Sequence, residues 1–325
     1  MNNTVHTAHH TGYATDVTVT AHALHVPGAD TPTAGAASAL FTSVAPEPAC
    51  GPDEAHTVLG RKGLLYKEDS TRLALCAVHR AFGLPPGKLK EPLPGAAGTA
   101  VVVSSGFGNV RTVRDIVAEM RAGSGHDVSP LNGPNASSNV IASTLAIRYG
   151  FTGPNLMVCG GATSGLDAVR LGALLLRAGR ARRVVVVGVE PDDEVARGLA
   201  ALRPGGAELR AAAACVVLES EGEGPRLGSV RHHAQPDALA EPDAPAALRL
   251  AAPGSAGTSG GVDLTDHVGE TYGALGVLQL AVAAAWLPSS GEQSGGALIT
   301  CGDDEDGYAS VRLDPAGDRV PAGAS

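Results

Sequence analysis

The run RRVVVVGVE at residues 182–190 constrains the fold more than any other stretch. Its valines leave no polar face, so a strand here must be covered on both sides. Strand and helix patterns alternate around it. DVTVTAHALHV (16–26) reads as a β-branched first strand, and GTAVVVSSGFGNV (98–110) as a strand entering a glycine turn. The stretch 67–84 predicts a helix capped by Asp69 or Ser70, with Leu73, Ala77 and Ala81 on one face. A second helix, 110–123, carries Val110, Val113, Val117 and Met120 on one stripe. A third, 135–150, ends at Gly150 as its C-cap. Residues 208–221 supply a further strand, 267–288 a buried helix after a glycine turn, and 296–314 two strands joined by an acidic turn. The Pro- and Ala-rich stretch 27–58 reads as loop. The alternation predicts an α/β protein with a covered sheet.

A chain of 325 residues suits two domains or one duplicated architecture. The boundaries read as a disordered leader (1–15), an N-terminal half (16–221), a loop-rich connection (222–261), a truncated C-terminal half (262–314) and a disordered tail (315–325). Within the connection only 226–234 is strand-like. Aromatics make up just 3% of the chain, so the core relies on Val, Leu and Ala. A net charge of −9 argues against nucleic acid, whose phosphates need a basic face. The five cysteines (50, 76, 159, 215, 301) show neither CxxC nor zinc-finger spacing and read as reduced thiols, with no metal or cofactor expected. The leader lacks the pattern of a signal peptide and no apolar run reaches a membrane span, which together predict a cytoplasmic protein without membrane contact.

GPNLMVCGGATSGLDAV (153–169) is a strand, a tight glycine corner and the start of a helix. Such corners commonly hold a nucleophile, yet this one holds Gly160, Gly161 and Ala162, with Cys159 before it and Ser164 after. Cys159 reads as a small packed thiol and Ser164 as a cap for backbone N–H groups. His267, close to the later glycine turn, is expected to be hydrogen-bonded or on the surface. His232 and His233 have no evident partner, and Asp303–Asp306 lack calcium-loop spacing and read as a solvated turn.

Several stretches resemble the thiolase-fold β-ketoacyl synthases, in that family's order: LGRKGLLYKEDSTRLAL, SGFGN, SPLNGPNASSNVIASTLAIRYGFTGPNLMV, GATSGLDAVRLGALLLRAGRARRVVVVGVE and HVGETYGALGVLQLAVAA. The resemblance implies a layered α-β-α-β-α fold of two related halves, the C-terminal one shortened here. Family members use an elbow Cys, a His in a His-Gly-Thr motif, and a second His in a Lys-x-x-x-Gly-His motif. By that register Ala162 stands for the Cys, Thr265 for the Lys and Glu270 for the second His. No His-Gly-Thr occurs, and the segment that should carry it is reduced to the loop 235–261. No catalytic residue is therefore expected.

The pattern is similar to chain-length factors, ketosynthase-like subunits of bacterial type II polyketide synthases. PNASSNVIAS and GPNLMVCGGATSGLDAV are most like those of highly reducing, polyene-forming systems, a setting of antibiotic biosynthesis. The resemblance implies a heterodimer with a catalytic ketosynthase, meeting the acyl carrier protein through that complex. It also implies a shared tunnel that sets polyketide chain length. Tunnel residues by position are Phe107, Gly108, Arg111, Thr112, Asp115, Leu131 and Asn132; interface residues are Pro134, Asn135, Ser138, Asn139, Asn155, Met157 and Cys159. Asp115 falls on the face opposite the valine stripe; base rates favour a solvated helix acid there, and the alternative is a carboxylate at the tunnel floor that limits chain length. The alternatives are an active acyltransferase using Cys159 and a stand-alone acyl-binding protein.

Overall fold

A computed structural model describes residues 16–45, 47–203, 208–220, 222–235, 246–289 and 295–316. The expected leader, most of the expected tail and part of the 222–261 connection lie outside the described residues. Ten strands are described: β1 (Val17–His25), β2 (Thr99–Ser104), β3 (Asn155–Val158), β4 (Arg183–Glu190), β5 (Ala212–Ser220), β6 (Arg226–Leu227), β7 (Arg231–His233), β8 (Leu248–Leu250), β9 (Ala297–Asp303) and β10 (Gly307–Asp314). The helices before β4 are α1 (Ala36–Val44), α2 (His56–Leu59), α3 (Asp69–Ala81), α4 (Val110–Ala122), α5 (Val140–Tyr149) and α6 (Ser164–Arg177). Those after it are α7 (Glu194–Ala200), α8 (Ala256–Ser259), α9 (Thr265–Val268) and α10 (Leu275–Ser289). None is long and apolar enough to cross a membrane.

The strands follow the order β3-β2-β4-β5-β1-β6-β10-β9-β8, with β7 on β10. Two similar halves meet where the short β6 bridges β1 and β10. In the first, β2 runs parallel to β3 and β4, while β4–β5 and β5–β1 are antiparallel. In the second, β8 runs parallel to β9, β9–β10 and β10–β6 are antiparallel, and Val262 adds a parallel bridge beside β8, where the first half has β3. The arrangement is one continuous ten-stranded sheet made of two related halves.

The valine run splits as its two-sided burial requires. Val184 and Val186 join a core with Leu166, Val169, Leu278 and Val282 of α6 and α10, while Val185, Val187 and Val189 join one with Leu73, Val78 and Leu145 of α3 and α5. Thus α6 and α10 form the middle layer between the half-sheets, and α3 and α5 cover the far side of the first. At the middle-layer crossing, a Cβ on Gly165 would stand 2.7 Å from the backbone nitrogen of Gly276, so only glycine permits this approach. Between β6 and β8, where the first half inserts α3 between β1 and β2, the described residues carry no helix. Among the helices described, only α6 and α10 pack substantially on β9 and β10. Among the described residues, no outer helical layer covers the second half.

Several expectations need correction. The stretch 27–58 contains α1, whose Phe41 is buried, and α2. Neither Asp69 nor Ser70 caps α3; the N-cap is Glu68, whose carboxylate accepts a bond from the Thr112 backbone N–H at 3.0 Å, while Asp69 pairs with Arg111 at 3.2 Å. The apolar stripe of α4 faces outward, with Val113 43%, Val117 41% and Met120 51% exposed. Gly150 does end α5 in the left-handed conformation, with φ of 77°.

Candidate functional site

The two middle-layer helices begin side by side, each after a tight turn: Gly161–Thr163 before α6 and Tyr272–Ala274 before α10. This is where the elbow motif lies. Ala162 is buried and offers only a methyl group. Its backbone N–H donates to Asp306 Oδ2 at 2.8 Å, and the Tyr272 hydroxyl donates to the same oxygen at 3.1 Å. Gly161, at φ of 85°, leaves the space that the Asp306 carboxylate fills. The positive end of α6, where an incoming carbonyl oxygen would find its donors, is thus already occupied by a carboxylate of the chain itself.

Arg203 locks this arrangement. It bonds to Asp303, lies 3.5 Å from Asp306 and 3.8 Å from Glu305, and its guanidinium carbon sits 3.8 Å from the centre of the Tyr272 ring. The acidic turn between β9 and β10 is exposed at Asp304, Glu305 and Asp306, as a solvated turn would be, and it is also braced by Arg203 and Tyr272 against the elbow. Tyr272 holds a φ of 36°, unusual for a side chain of its size. Burial, partly offset by Arg203, lifts its pKa to about 12, which keeps the hydroxyl protonated as a donor. What remains open is a cavity of about 40 Å³ lined by Ala162, Pro253, Glu270, Tyr272, Leu275 and Asp303 among others. That volume suits a water molecule and no acyl chain.

The other expected positions take structural roles. Thr265 donates through its backbone N–H and its hydroxyl to Asp263 Oδ1, at 2.9 and 2.6 Å, and starts α9. Glu270 accepts the Tyr272 N–H at 2.5 Å, and burial raises its pKa. The segment expected as pure loop contains β8, whose end brings Pro253 beside Ala162 and Glu270. His267 points away from the cavity: Nε2 bonds to the Ala29 carbonyl at 2.9 Å, and the ring packs on Phe41. His232 and His233 do have partners, correcting the sequence reading: Asp167 at 2.7 Å and Ser310 at 2.9 Å. Asp167 also accepts from Thr163 at 2.8 Å. Ser164 accepts from Gly160 N–H at 2.7 Å, so it braces the glycine corner.

Cys159 is exposed just beyond β3, contrary to the buried thiol expected. Burial of its sulfur and the nearby Glu190 raise its pKa, the reverse of what activates a thiol. Glu190 is a residue the sequence reading passed over. Fully buried at the end of β4, it accepts bonds from the backbone N–H groups of Gly106, Phe107 and Gly273 and from the Ser105 hydroxyl. Burial pushes its pKa up to about 7 against the pull of those four donors. It ties the SGFGN turn to the start of α10. The visible signal was a lone acid closing an apolar strand.

Beyond that turn lies a second opening, about 130 Å³, lined by Phe107, Val110, Val113, Ser138, Met157 and Cys159 among others. Gly108 also lines it, and Phe107 stacks on Tyr272 with ring centres 5.2 Å apart. Arg111 and Thr112 instead face α3, through the bonds to Asp69 and Glu68 already given. Asp115 is half-exposed, paired with Arg114 at 2.9 Å, and does not line the opening. Nor do Leu131 and Asn132; Leu131 is exposed. Asn135 is buried, donates to the Tyr66 carbonyl at 2.6 Å and is committed to the chain's own structure. Asn139 donates to Asn155 Oδ1 at 2.7 Å, which ties α5 to β3, while Pro134 is exposed.

The Beta-ketoacyl synthase, N-terminal domain family model matches residues 64–215. Similar solved structures are the ishigamide ketosynthase/chain length factor (19% identity, TM-score 0.69, covering 93% of this chain and 100% of that one) and a type II PKS acyl-carrier protein in complex with its ketosynthase bound to the hexaketide (13%, TM-score 0.67, 93% and 99%). The ketosynthase from module 1 of the bacillaene synthase of Bacillus amyloliquefaciens FZB42 is also similar (12%, TM-score 0.60, 97% and 75%). The fold is that of the thiolase-like ketosynthases. No curated protein matches the sequence. Both sheet halves of the ketosynthase architecture are present, and the matched domain spans the elbow and β4.

Proposed function

We propose that this chain is a non-catalytic chain-length-factor subunit that pairs with a catalytic β-ketoacyl synthase and helps to shape the acyl tunnel of a type II polyketide synthase. The observation that carries this reading is the exposed edge of β3 beside the outward apolar face of α4. β3 ends the strand order, and all four of its residues are only partly buried. An unpaired edge of sequence Asn-Leu-Met-Val invites another strand. Val113, Val117 and Met120 add an apolar surface that the described residues leave uncovered. A partner pairing along β3 would cover both features and roof the opening at Phe107 and Met157.

The plugged elbow supports the non-catalytic part: methyl for thiol at Ala162, Pro253 and Glu270 at the cavity, and Asp306 on the backbone donor. It argues against acyl transfer through Cys159. The motifs PNASSNVIAS and GPNLMVCGGATSGLDAV favour a polyene-forming system, with the acyl carrier protein met through the complex. Because the opening is lined by Val113 and Met157 and not by Asp115, chain-length control falls to the former pair.

Co-expression with a candidate ketosynthase, followed by size-exclusion chromatography, tests the pairing. A stable one-to-one complex is expected, burying on the order of 2,000 Å². A stable monomer that ignores the ketosynthase would refute it. In the reconstituted complex Val113→Phe should shorten the released chains while Asp115→Ala leaves their length unchanged, as read by mass spectrometry.

A further inference from the structure

On the far side of β1 from the elbow, three side chains from separate elements converge: His25 at the end of β1, Cys50 in the loop after α1, and Cys76 in the middle of α3. A ring nitrogen of His25 and the two sulfurs all lie within 4.8 Å of one another, and His25 Nε2 is 4.0 Å from Cys50 Sγ. His25 and Cys76 are fully buried and Cys50 is half-buried. His25 Nε2 bonds to the Cys50 carbonyl at 3.1 Å, but Nδ1 is buried without a partner. An imidazole with one anchored and one unsatisfied nitrogen, beside two thiols, is an oriented donor set.

We propose that His25, Cys50 and Cys76 form a binding site for a thiophilic divalent cation, Zn²⁺. The residue types suit the ion, since Zn²⁺ takes thiolate sulfur at about 2.3 Å and imidazole nitrogen at about 2.0 Å. Tetrahedral ligation with those lengths puts sulfur and nitrogen roughly 3.5 Å apart, so the three donor atoms, within 4.8 Å of one another, must draw together to reach it. The Cys50 loop can supply that movement. It is strapped to α3 through Arg80, which donates to the Pro48 carbonyl at 2.6 Å, and is otherwise irregular. Binding releases both thiol protons to solvent, so the cation and two thiolates are neutral together and tolerate the nearby Arg80. A cavity of about 670 Å³ lined by His22, Leu24, Val58, His79 and Arg80 among others opens on neighbouring residues of β1 and α3, and half-buried Cys50 is the ligand nearest solvent. A disulfide between the two cysteines is the competing use of the same atoms. It would leave His25 Nδ1 unexplained, and on that ground we favour the cation.

The site would clamp the first strand to α3 across a loop that sequence spacing leaves unlinked, and it is independent of the function proposed above. The test uses the full-length chain, reduced with a phosphine and titrated with Co²⁺. One Co²⁺ per chain should bind with a near-ultraviolet thiolate-to-cobalt band, and one equivalent of Zn²⁺ should abolish that band. The band reports sulfur ligation, so histidines elsewhere cannot mimic it. Cys50→Ser should remove the band, whereas Cys159→Ser, in an exposed thiol, should leave it intact. Zn²⁺ should also protect Cys50 from maleimide labelling, read by peptide mass. The proposal is overturned by no band in the reduced wild-type chain, by a band that survives in Cys50→Ser, or by a Cys50–Cys76 disulfide that re-forms with Zn²⁺ present.

Discussion

The bond from the Ala162 N–H to Asp306 joins residues 144 positions apart and fills the one place where the elbow could have polarised a substrate carbonyl. Removing it strands a buried donor, which costs about 1–3 kcal/mol. Asp306→Ala should therefore lower the urea midpoint of unfolding by a corresponding amount, and an unchanged midpoint would mean that water replaces the carboxylate without loss. The double variant Ala162→Cys, Asp306→Ala should still form no carbon–carbon bond from acyl and malonyl thioesters. It restores a thiol and frees its donor, but Glu270 and Pro253 supply no histidine. Condensation products in that assay would contradict the inactive reading. Glu190 makes a pH-dependent claim. Its folded pKa, about 7, lies above the ordinary carboxylate value, so the native state holds the proton more tightly than the unfolded chain. The contribution of Glu190 to stability is full at low pH, declines as pH rises from about 4.5 to 7, and changes no further above that. In Glu190→Gln this part of the slope should vanish in denaturation curves recorded across the window. The variant should also be less stable throughout, because an amide nitrogen cannot accept from the donors that surround the carboxylate.

Two elements carry the architecture's demands in their smallest residues and at their edges. The starts of α6 and α10 touch backbone to backbone at Gly165 and Gly276, where an added Cβ would overlap main-chain atoms that cannot yield cheaply. Gly165→Ala should cost about 1–3 kcal/mol through overpacking, measured by chemical denaturation, and a neutral result would mean that the helices can part without penalty. At β3 the proposed function asks the reverse, for something further to pack. Met157→Lys places a charge on the exposed edge beside the Phe107 opening. It should dissociate the ketosynthase complex on size-exclusion chromatography while leaving the chain folded by circular dichroism. An intact complex would move the interface away from β3. The outward valine stripe of α4 shows why periodicity alone misled. An amphipathic pattern marks one apolar face, and it does not state what covers it.

At the scale of the whole molecule, the chain keeps both halves of a duplicated sheet, and its described residues place no outer helices on the second. The middle layer of α6 and α10 is common to both halves and holds the larger of the two main cores. The sequence by itself determined the elements that depend on near neighbours. The valine run specified a strand covered twice, the Gly150 turn ended α5, and the motif order specified a ketosynthase-like fold with Ala162 at the elbow. Those outcomes follow from burial, local backbone conformation and short motifs, all written within a few residues. Only the tertiary structure decided that the acidic turn is a plug held by Arg203, that Glu190 is a buried strap, and that His25, Cys50 and Cys76 meet. It also turned Arg111 and Thr112 toward α3 and left Asp115 at the surface. The physical reason is common to these cases. Each depends on a charge or a lone pair finding its partner across a distant crossing of the chain, and no periodicity or local propensity encodes which residues the fold will bring within three or four ångströms.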